Sequence, residues 1–111
     1  MGMNTVYAAK EPTRAEVDAL QGLTVLEFGT PWCGYCRAAQ PLFAAVFTRH
    51  SELRHLKIED GPGRPLGRSF RIKLWPTLVF MNKGKEVARL VRPSDADTIA
   101  QALGEQAQAS N

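Results

Sequence analysis

The chain is short of metal ligands, and it lacks the long apolar runs of a membrane protein. Its 111 residues hold only two cysteines and two histidines. A structural zinc site takes about four ligands, and His50 and His55 stand far from the cysteines with none of the usual ligand spacing. No apolar run approaches the length of a membrane span. No glycine-rich phosphate loop is present, which argues against nucleotide chemistry, and there is no extra domain that could house a flavin. Neither sign of charge is gathered into a block. Fourteen Lys and Arg against eleven Asp and Glu give a net charge of +3, scattered as on a solvated surface rather than a nucleic-acid footprint. Met1 to Lys10 has neither the basic nor the apolar region of a signal peptide. A reducing cytosol is therefore the expected compartment, with export the alternative if a leader has been removed. No repeat, linker or low-complexity segment divides the chain. An apolar share of 44% and a charged share of 23% fit one globular domain over residues 1–111 with a single core, expected to be a monomer.

Both cysteines lie in the phrase Trp32-Cys33-Gly34-Tyr35-Cys36. Before them, Leu23 to Gly29 is an apolar, β-branched run suited to a central strand. After them, Arg37 to His50 reads as a helix that Pro41 should kink. Two thiols separated by two residues at a strand-to-helix junction can close a disulfide and reopen it. In a reducing compartment such a pair points to catalysis or metal binding rather than to a structural bridge. Half of a metal or cluster site shared between subunits, or two inert core thiols, are the competing readings.

The remaining elements are expected in the following order. Thr13-Arg14-Ala15-Glu16 is a capping box, opening a short helix that Gly22 should stop. Leu53 to Glu59 is a second strand, Asp60-Gly61-Pro62-Gly63 a loop, and Pro65 to Phe70 a short helix. Thr77 to Met81 and Glu86 to Val91 form a hairpin through Asn82-Lys83-Gly84-Lys85. Ser94 caps a last helix with Ile99, Ala100 and Leu103 on one face, and Gln106 to Asn111 is a frayed tail. The order implies an α/β fold: a central mixed sheet with helices on its faces.

At this point the chain resembles the thioredoxin family over nearly its whole length. The resemblance rests on Phe28-Gly29-Thr30-Pro31-Trp32-Cys33-Gly34-Tyr35-Cys36, on Glu27, on Pro41, and on Trp75-Pro76-Thr77 opening the strand before the Gly84 hairpin. A lone CxxC would be weak; with the preceding strand and Trp, and a Pro-Thr some forty residues later, it is specific. The resemblance implies a thioredoxin-like fold and a thiol–disulfide oxidoreductase of protein disulfides. It implies no cofactor beyond the Cys33–Cys36 couple, and electrons supplied by a thioredoxin-reductase-type or other thiol donor.

Cys33, facing the unpaired N–H groups at a helix start, is the expected nucleophile, and Cys36, one turn on and more buried, the resolving thiol. Glu27 is a carboxylate in an apolar strand. Loss of water favours its protonated form, which suits it to take a proton from Cys36; the family usually has Asp there. Pairing with Lys57 or His55 on a neighbouring strand is the plainer alternative. By the resemblance Pro76 is a cis proline facing the disulfide, and Trp75 before it lends backbone hydrogen bonds to an extended substrate. Trp75 with Trp32, Tyr35 and Pro31 would form an aromatic, apolar docking rim around the sulfurs, unless one tryptophan is simply core, and Gly34 between the cysteines is counted with Arg92 among the substrate-binding residues.

Two departures from the family stand out. Typical thioredoxins have Gly-Pro between the cysteines, whereas Gly34-Tyr35 resembles some bacterial disulfide isomerases. Arg92-Pro93 stands near a usual Gly, adding bulk and positive charge that would favour acidic partners, unless Arg92 points to water. The reading is a cytosolic reductant of protein disulfides. Its rivals are an exported isomerase or oxidase, and a non-catalytic binding module on the same fold.

Overall fold

The computed structural model describes residues 3–109. In chain order its elements are α1 (Arg14–Asp18), β1 (Leu23–Gly29), α2 (Gly34–Phe47), β2 (Arg54–Glu59), α3 (Pro65–Ser69), β3 (Thr77–Asn82), β4 (Lys85–Val91) and α4 (Ala96–Ala109). The strands lie in the order β2-β1-β3-β4. β1 runs parallel to β2 and antiparallel to β3, and β3 and β4 form the antiparallel hairpin. The expected mixed sheet with helices on its faces is what forms.

Strand period sorts the apolar residues of β1 into two cores, one on each face of the sheet, rather than the single core expected. Val25 packs with Phe43 and Phe47 of α2 and with Ile99 and Leu103 of α4. Leu26 and Phe28 point the other way, to Val17 of α1, Leu66 of α3, and Val79 and Met81 of β3. Phe28, Phe43, Phe47 and Phe80 are fully buried, each contributing about 1.5–3 kcal/mol. Glu27 is two residues from Val25 and so shares the α2 face. Across the parallel ladder Val25 faces His55 and Glu27 faces Lys57. The pleat alone thus brings a carboxylate, an imidazole and an ammonium under α2.

Several boundaries differ from the sequence reading for local reasons. The capping box forms as expected: Thr13 Oγ1 accepts from Glu16 N–H at 3.0 Å, and Glu16 Oε1 accepts from Thr13 N–H at 2.9 Å. Yet α1 ends with Ala19 as its C-cap, ahead of Gly22; Gly22 instead turns the chain into β1 at φ +77°. Lys83 and Gly84 make the hairpin turn at φ +51° and +79°, as two-residue hairpin loops require. Asp95, not Ser94, caps α4, its Oδ1 accepting from Thr98 N–H at 2.7 Å. Ala100 is exposed, and Ala96 and Ala102 pack beside Ile99 and Leu103 instead. Gln106 to Ala109, expected to fray, continue α4; Ser110 and Asn111 lie outside the described residues.

Helix α3 closes with an arginine where glycine is usual. Arg71 N–H donates to Arg68 O and Ile72 N–H to Gly67 O, the paired bonds of a Schellman ending. Arg71 holds the left-handed position at φ +57°, and its exposed side chain is presented at the surface beside the loop after β2.

Candidate active site

Cys33 is the N-cap of α2, with extended backbone at φ −78° and ψ 119°. Its Sγ accepts the Cys36 N–H at 3.2 Å, the place a serine or aspartate oxygen takes at an ordinary helix start. The sulfur thus meets an otherwise unpaired amide and the positive end of the helix. Both cysteines are free thiols, Cys33 7% exposed and Cys36 1%. Burial first, then the hydrogen bond with Cys33, pushes the Cys36 thiol up to about 12, with Cys33 and Glu27 adding repulsion and the Thr30 backbone opposing. Cys36 is therefore a thiol at neutral pH, shielded behind Cys33. Gly34 begins the helix, and a Cβ there would meet nothing.

Gly29 makes room for the pair. A Cβ at this last residue of β1 would lie 2.6 Å from Cys36 Sγ and 3.3 Å from the Tyr7 hydroxyl. Tyr7 is half-buried beside the thiols; burial, then the nearby Cys36 and Glu27, raises its pKa well above the ordinary phenol value. In the sequence Gly29 stands out only as part of the phrase around the cysteines, and Tyr7 does not stand out at all. An isolated tyrosine in an irregular N-terminal stretch carries no spacing signal.

The Glu27 carboxylate is fully buried, and both of its oxygens are engaged. His55 Nε2 lies 2.9 Å from Oε1. Gln40 Nε2 donates to Oε2 at 2.9 Å and also to the Cys36 carbonyl at 2.9 Å. Lys57 Nζ donates to Gln40 Oε1 at 2.9 Å and stands 3.8 Å from Glu27 Oε2. On the far side of the imidazole, Asn4 N–H donates to His55 Nδ1 at 2.8 Å. A nitrogen that accepts carries no proton, so His55 is neutral with its proton on Nε2, donating to Glu27. Pairing with Lys57 or pairing with His55 were alternatives in the sequence; here both residues surround the same carboxylate. The carboxylate makes no direct hydrogen bond to Cys36 Sγ and reaches that residue through Gln40. Asn4 and Gln40 went unremarked in the sequence because polar residues at unrelated positions reveal nothing until the chain is folded.

Trp75-Pro76 is a cis peptide, and Pro76 is buried. Neither tryptophan belongs to the core. Trp32 is 71% exposed and meets the half-buried Trp75 edge-on, ring centroids 5.5 Å apart. Trp75 Nε1 donates to Asp60 Oδ2 at 2.9 Å. Arg92 does not simply face water. Its Nε donates to Trp75 O at 2.8 Å and its N–H to Pro76 O at 2.8 Å, and its guanidinium lies 4.0 Å from the centre of the Tyr35 ring. It does so at φ +48°. Tyr35, Leu42, Pro76, Arg92 and Pro93 line a groove of about 370 Å³ beside the cysteines. Trp32, Tyr35, Trp75, Pro76 and Arg92 thus form one linked rim. Among the described residues no three His, Cys, Asp or Glu side chains converge as metal ligands would, and no helix is long and apolar enough to cross a membrane.

Comparison with known proteins gives a consistent picture. The family model described as thioredoxin matches residues 4–105. The solved structure of thioredoxin 2 from Pseudomonas aeruginosa PAO1, in its reduced form, is 55% identical. It superposes with a TM-score of 0.86 over 96% of this chain and 99% of that one. Thioredoxin H2-1 of Oryza sativa subsp. japonica is 32% identical over 69 residues, 62% of this chain and 50% of that protein. The TPR repeat-containing thioredoxin TDX of Arabidopsis thaliana is 36% identical over 69 residues, 62% of this chain and 18% of that protein. The chain thus spans about half the length of the rice protein and under a fifth of the Arabidopsis one.

Proposed function

This chain belongs to the thioredoxin family, and from that premise we propose that it is a thiol–disulfide oxidoreductase that reduces protein disulfides. The observation that carries the reading is the Cys33 sulfur capping α2 on the Cys36 N–H at 3.2 Å, with Cys36 buried behind it as a thiol. An outer sulfur set on a helix-start N–H and an inner one held protonated suit two successive displacements. In the first, Cys33 thiolate attacks one sulfur of the substrate disulfide, forming a mixed disulfide; the other substrate sulfur leaves as thiolate and takes up a proton. In the second, Cys36 loses its proton and attacks Cys33 Sγ. The Cys33–Cys36 disulfide forms and the second substrate thiol departs. Two electrons and two protons pass to the substrate, leaving the protein oxidised.

Glu27 moves the Cys36 proton in this scheme. With no direct bond to Sγ, Glu27 takes the proton by way of intervening water, a route open to general bases. Trp75, Pro76, Trp32, Gly34, Tyr35 and Arg92 make the substrate rim. The couple itself is the redox group. A thioredoxin-reductase-type or other thiol donor returns it to the dithiol, and reduction in this direction suits a cytosolic setting. The test is covalent trapping. Reduced Cys36→Ser should accumulate a mixed disulfide with a disulfide peptide, seen as one added peptide mass, and Cys33→Ser should form none. Absence of an adduct with Cys36→Ser would sink the reading and favour a binding module.

A further inference from the structure

A second concavity lies not at the sulfurs but beside them. It holds about 610 Å³ between the loop after β2, helix α3 and the segment leading to Trp75. Its charged lining is Arg64, Arg68, Arg71, Lys73 and Asp60. Four cations against one carboxylate leave three positive charges, as many as the formal excess of the whole chain. The rest of the molecule is balanced, and its excess is concentrated here. The sequence hides this, because the four cations are interleaved with Pro65, Leu66, Phe70 and Ile72, and only α3 and its Schellman ending bring them together.

These cations are not used up by the fold. Arg64 reaches Glu59 at 3.5 Å, and among the described residues Arg68, Arg71 and Lys73 make no side-chain ion pair or hydrogen bond. All three are exposed. The one lining acid is occupied: Asp60 Oδ2 takes the Trp75 Nε1–H at 2.9 Å, and its carboxylate packs against Gly67. That contact also joins the concavity to the redox rim, since Trp75 meets Trp32 edge-on next to Cys33. On the other side of Trp75, Arg92 adds a further cation.

We propose that this basic concavity is a docking site for an acidic segment of a partner protein, carried in the chain that flanks the disulfide to be reduced. The substrate class of the site then narrows to disulfides bordered by Asp and Glu. An extended segment fits better than a small anion. The cations sit on three successive pieces of chain around an open hollow, whereas a small anion needs donors that converge on one point. An extended strand advances about 3.3 Å per residue, so a few residues leading away from the attacked sulfur cover the hollow. The inference rests on the oxidoreductase reading for its purpose, but docking is measured without the chemistry.

Two measurements test it. The first titrates a cysteine-free acidic peptide and its neutral isostere against the protein, following tryptophan fluorescence at low and high salt. Binding should be about tenfold tighter for the acidic peptide at 20 mM salt, and most of that preference should vanish at 500 mM, because exposed charges are screened. The combined variant Arg68→Glu, Arg71→Glu, Lys73→Glu should abolish the preference while leaving the melting temperature nearly unchanged. Equal binding of the two peptides, a preference that survives charge reversal, or tighter binding of a single-stranded oligonucleotide would overturn the proposal. The second compares kcat/KM for acidic-flanked and neutral disulfide peptides. About a tenfold advantage for the acidic one, lost in the variant, supports the role in substrate choice, and equal values remove it. If neither peptide is reduced while the acidic segment still binds, the oxidoreductase reading fails and the docking site stands.

Discussion

His55 Nε2 stands 2.9 Å from Glu27 Oε1, with both side chains fully buried. The pair is oriented from outside the sheet: Asn4 N–H, from the stretch before α1, occupies Nδ1 and so dictates which ring nitrogen carries the proton. The irregular N-terminal stretch is thereby coupled to the carboxylate beneath the cysteines.

Replacing His55 by Phe leaves Glu27 Oε1 buried with no donor. A loss of about 1–3 kcal/mol in stability is expected, read from urea midpoints. Resolution of a preformed mixed disulfide should slow as well. His55→Gln, which keeps a donor, should recover much of both; a resolution rate unchanged in His55→Phe would show that the His55 bond does not support Glu27 in that step.

For Glu27 itself the expectation is kinetic. Glu27→Gln should slow resolution by about 10²-fold, the lower end of general-base effects, while attack by Cys33 changes little. Stopped-flow separation of the two steps decides it, and equal slowing of both would exclude the role.

Cys36 links stability to pH with a definite sign. Its folded-state value is raised to about 12, against about 8.5 for an unfolded thiol. Between those values the folded protein holds a proton that the unfolded chain releases, so stability falls as pH rises. Between pH 8 and 9, where a free phenol of pKa about 10 is still largely protonated, the reduced protein should lose melting temperature faster than Cys36→Ala. Parallel curves would show that the thiol is not held protonated.

Gly29→Ala would set a methyl group 2.6 Å from Cys36 Sγ. Overpacking of this kind costs about 1–3 kcal/mol, and the displaced sulfur should also lose speed in the resolving step. Thermal melts and single-turnover rates of the same variant check both.

Arg92→Gly should raise stability by up to about 1 kcal/mol, because φ +48° is strained for any residue with a Cβ. It also removes the guanidinium from Trp75 O and the Tyr35 ring. KM for disulfide peptides should therefore change several-fold with little change in kcat. A fall in kcat alone would mean that Arg92 acts on the sulfurs rather than on docking.

The Gly34-Tyr35 dipeptide, in place of the usual Gly-Pro, is expected to bear on the potential of the Cys33–Cys36 couple. A reduction potential near about −270 mV would fit a reductase, and one nearer about −120 to −180 mV an oxidant or isomerase; equilibration with a glutathione buffer measures it.

Local signals in the sequence determined the strand-loop-helix around Cys33 and Cys36, the Thr13–Glu16 capping box and the hairpin at Lys83-Gly84. Each depends on a few neighbouring residues whose propensities and hydrogen bonds are satisfied within one or two turns. The same locality explains the errors: Ser94 and Asp95 are equally good caps until the path of the chain selects one, and Ala100 shares a helical period with Ile99 yet faces outward. Only the tertiary structure decided that Asn4, Glu27, Gln40, His55 and Lys57 form one buried network, since they come from four separate pieces of chain joined by strand register and a helix laid over it. Only it decided that Arg92 clasps Trp75 and Tyr35, and that Arg64, Arg68, Arg71 and Lys73 surround a single hollow. Long-range contacts of this kind leave no periodicity in a sequence; they exist once burial of the apolar residues has set the distances between everything else.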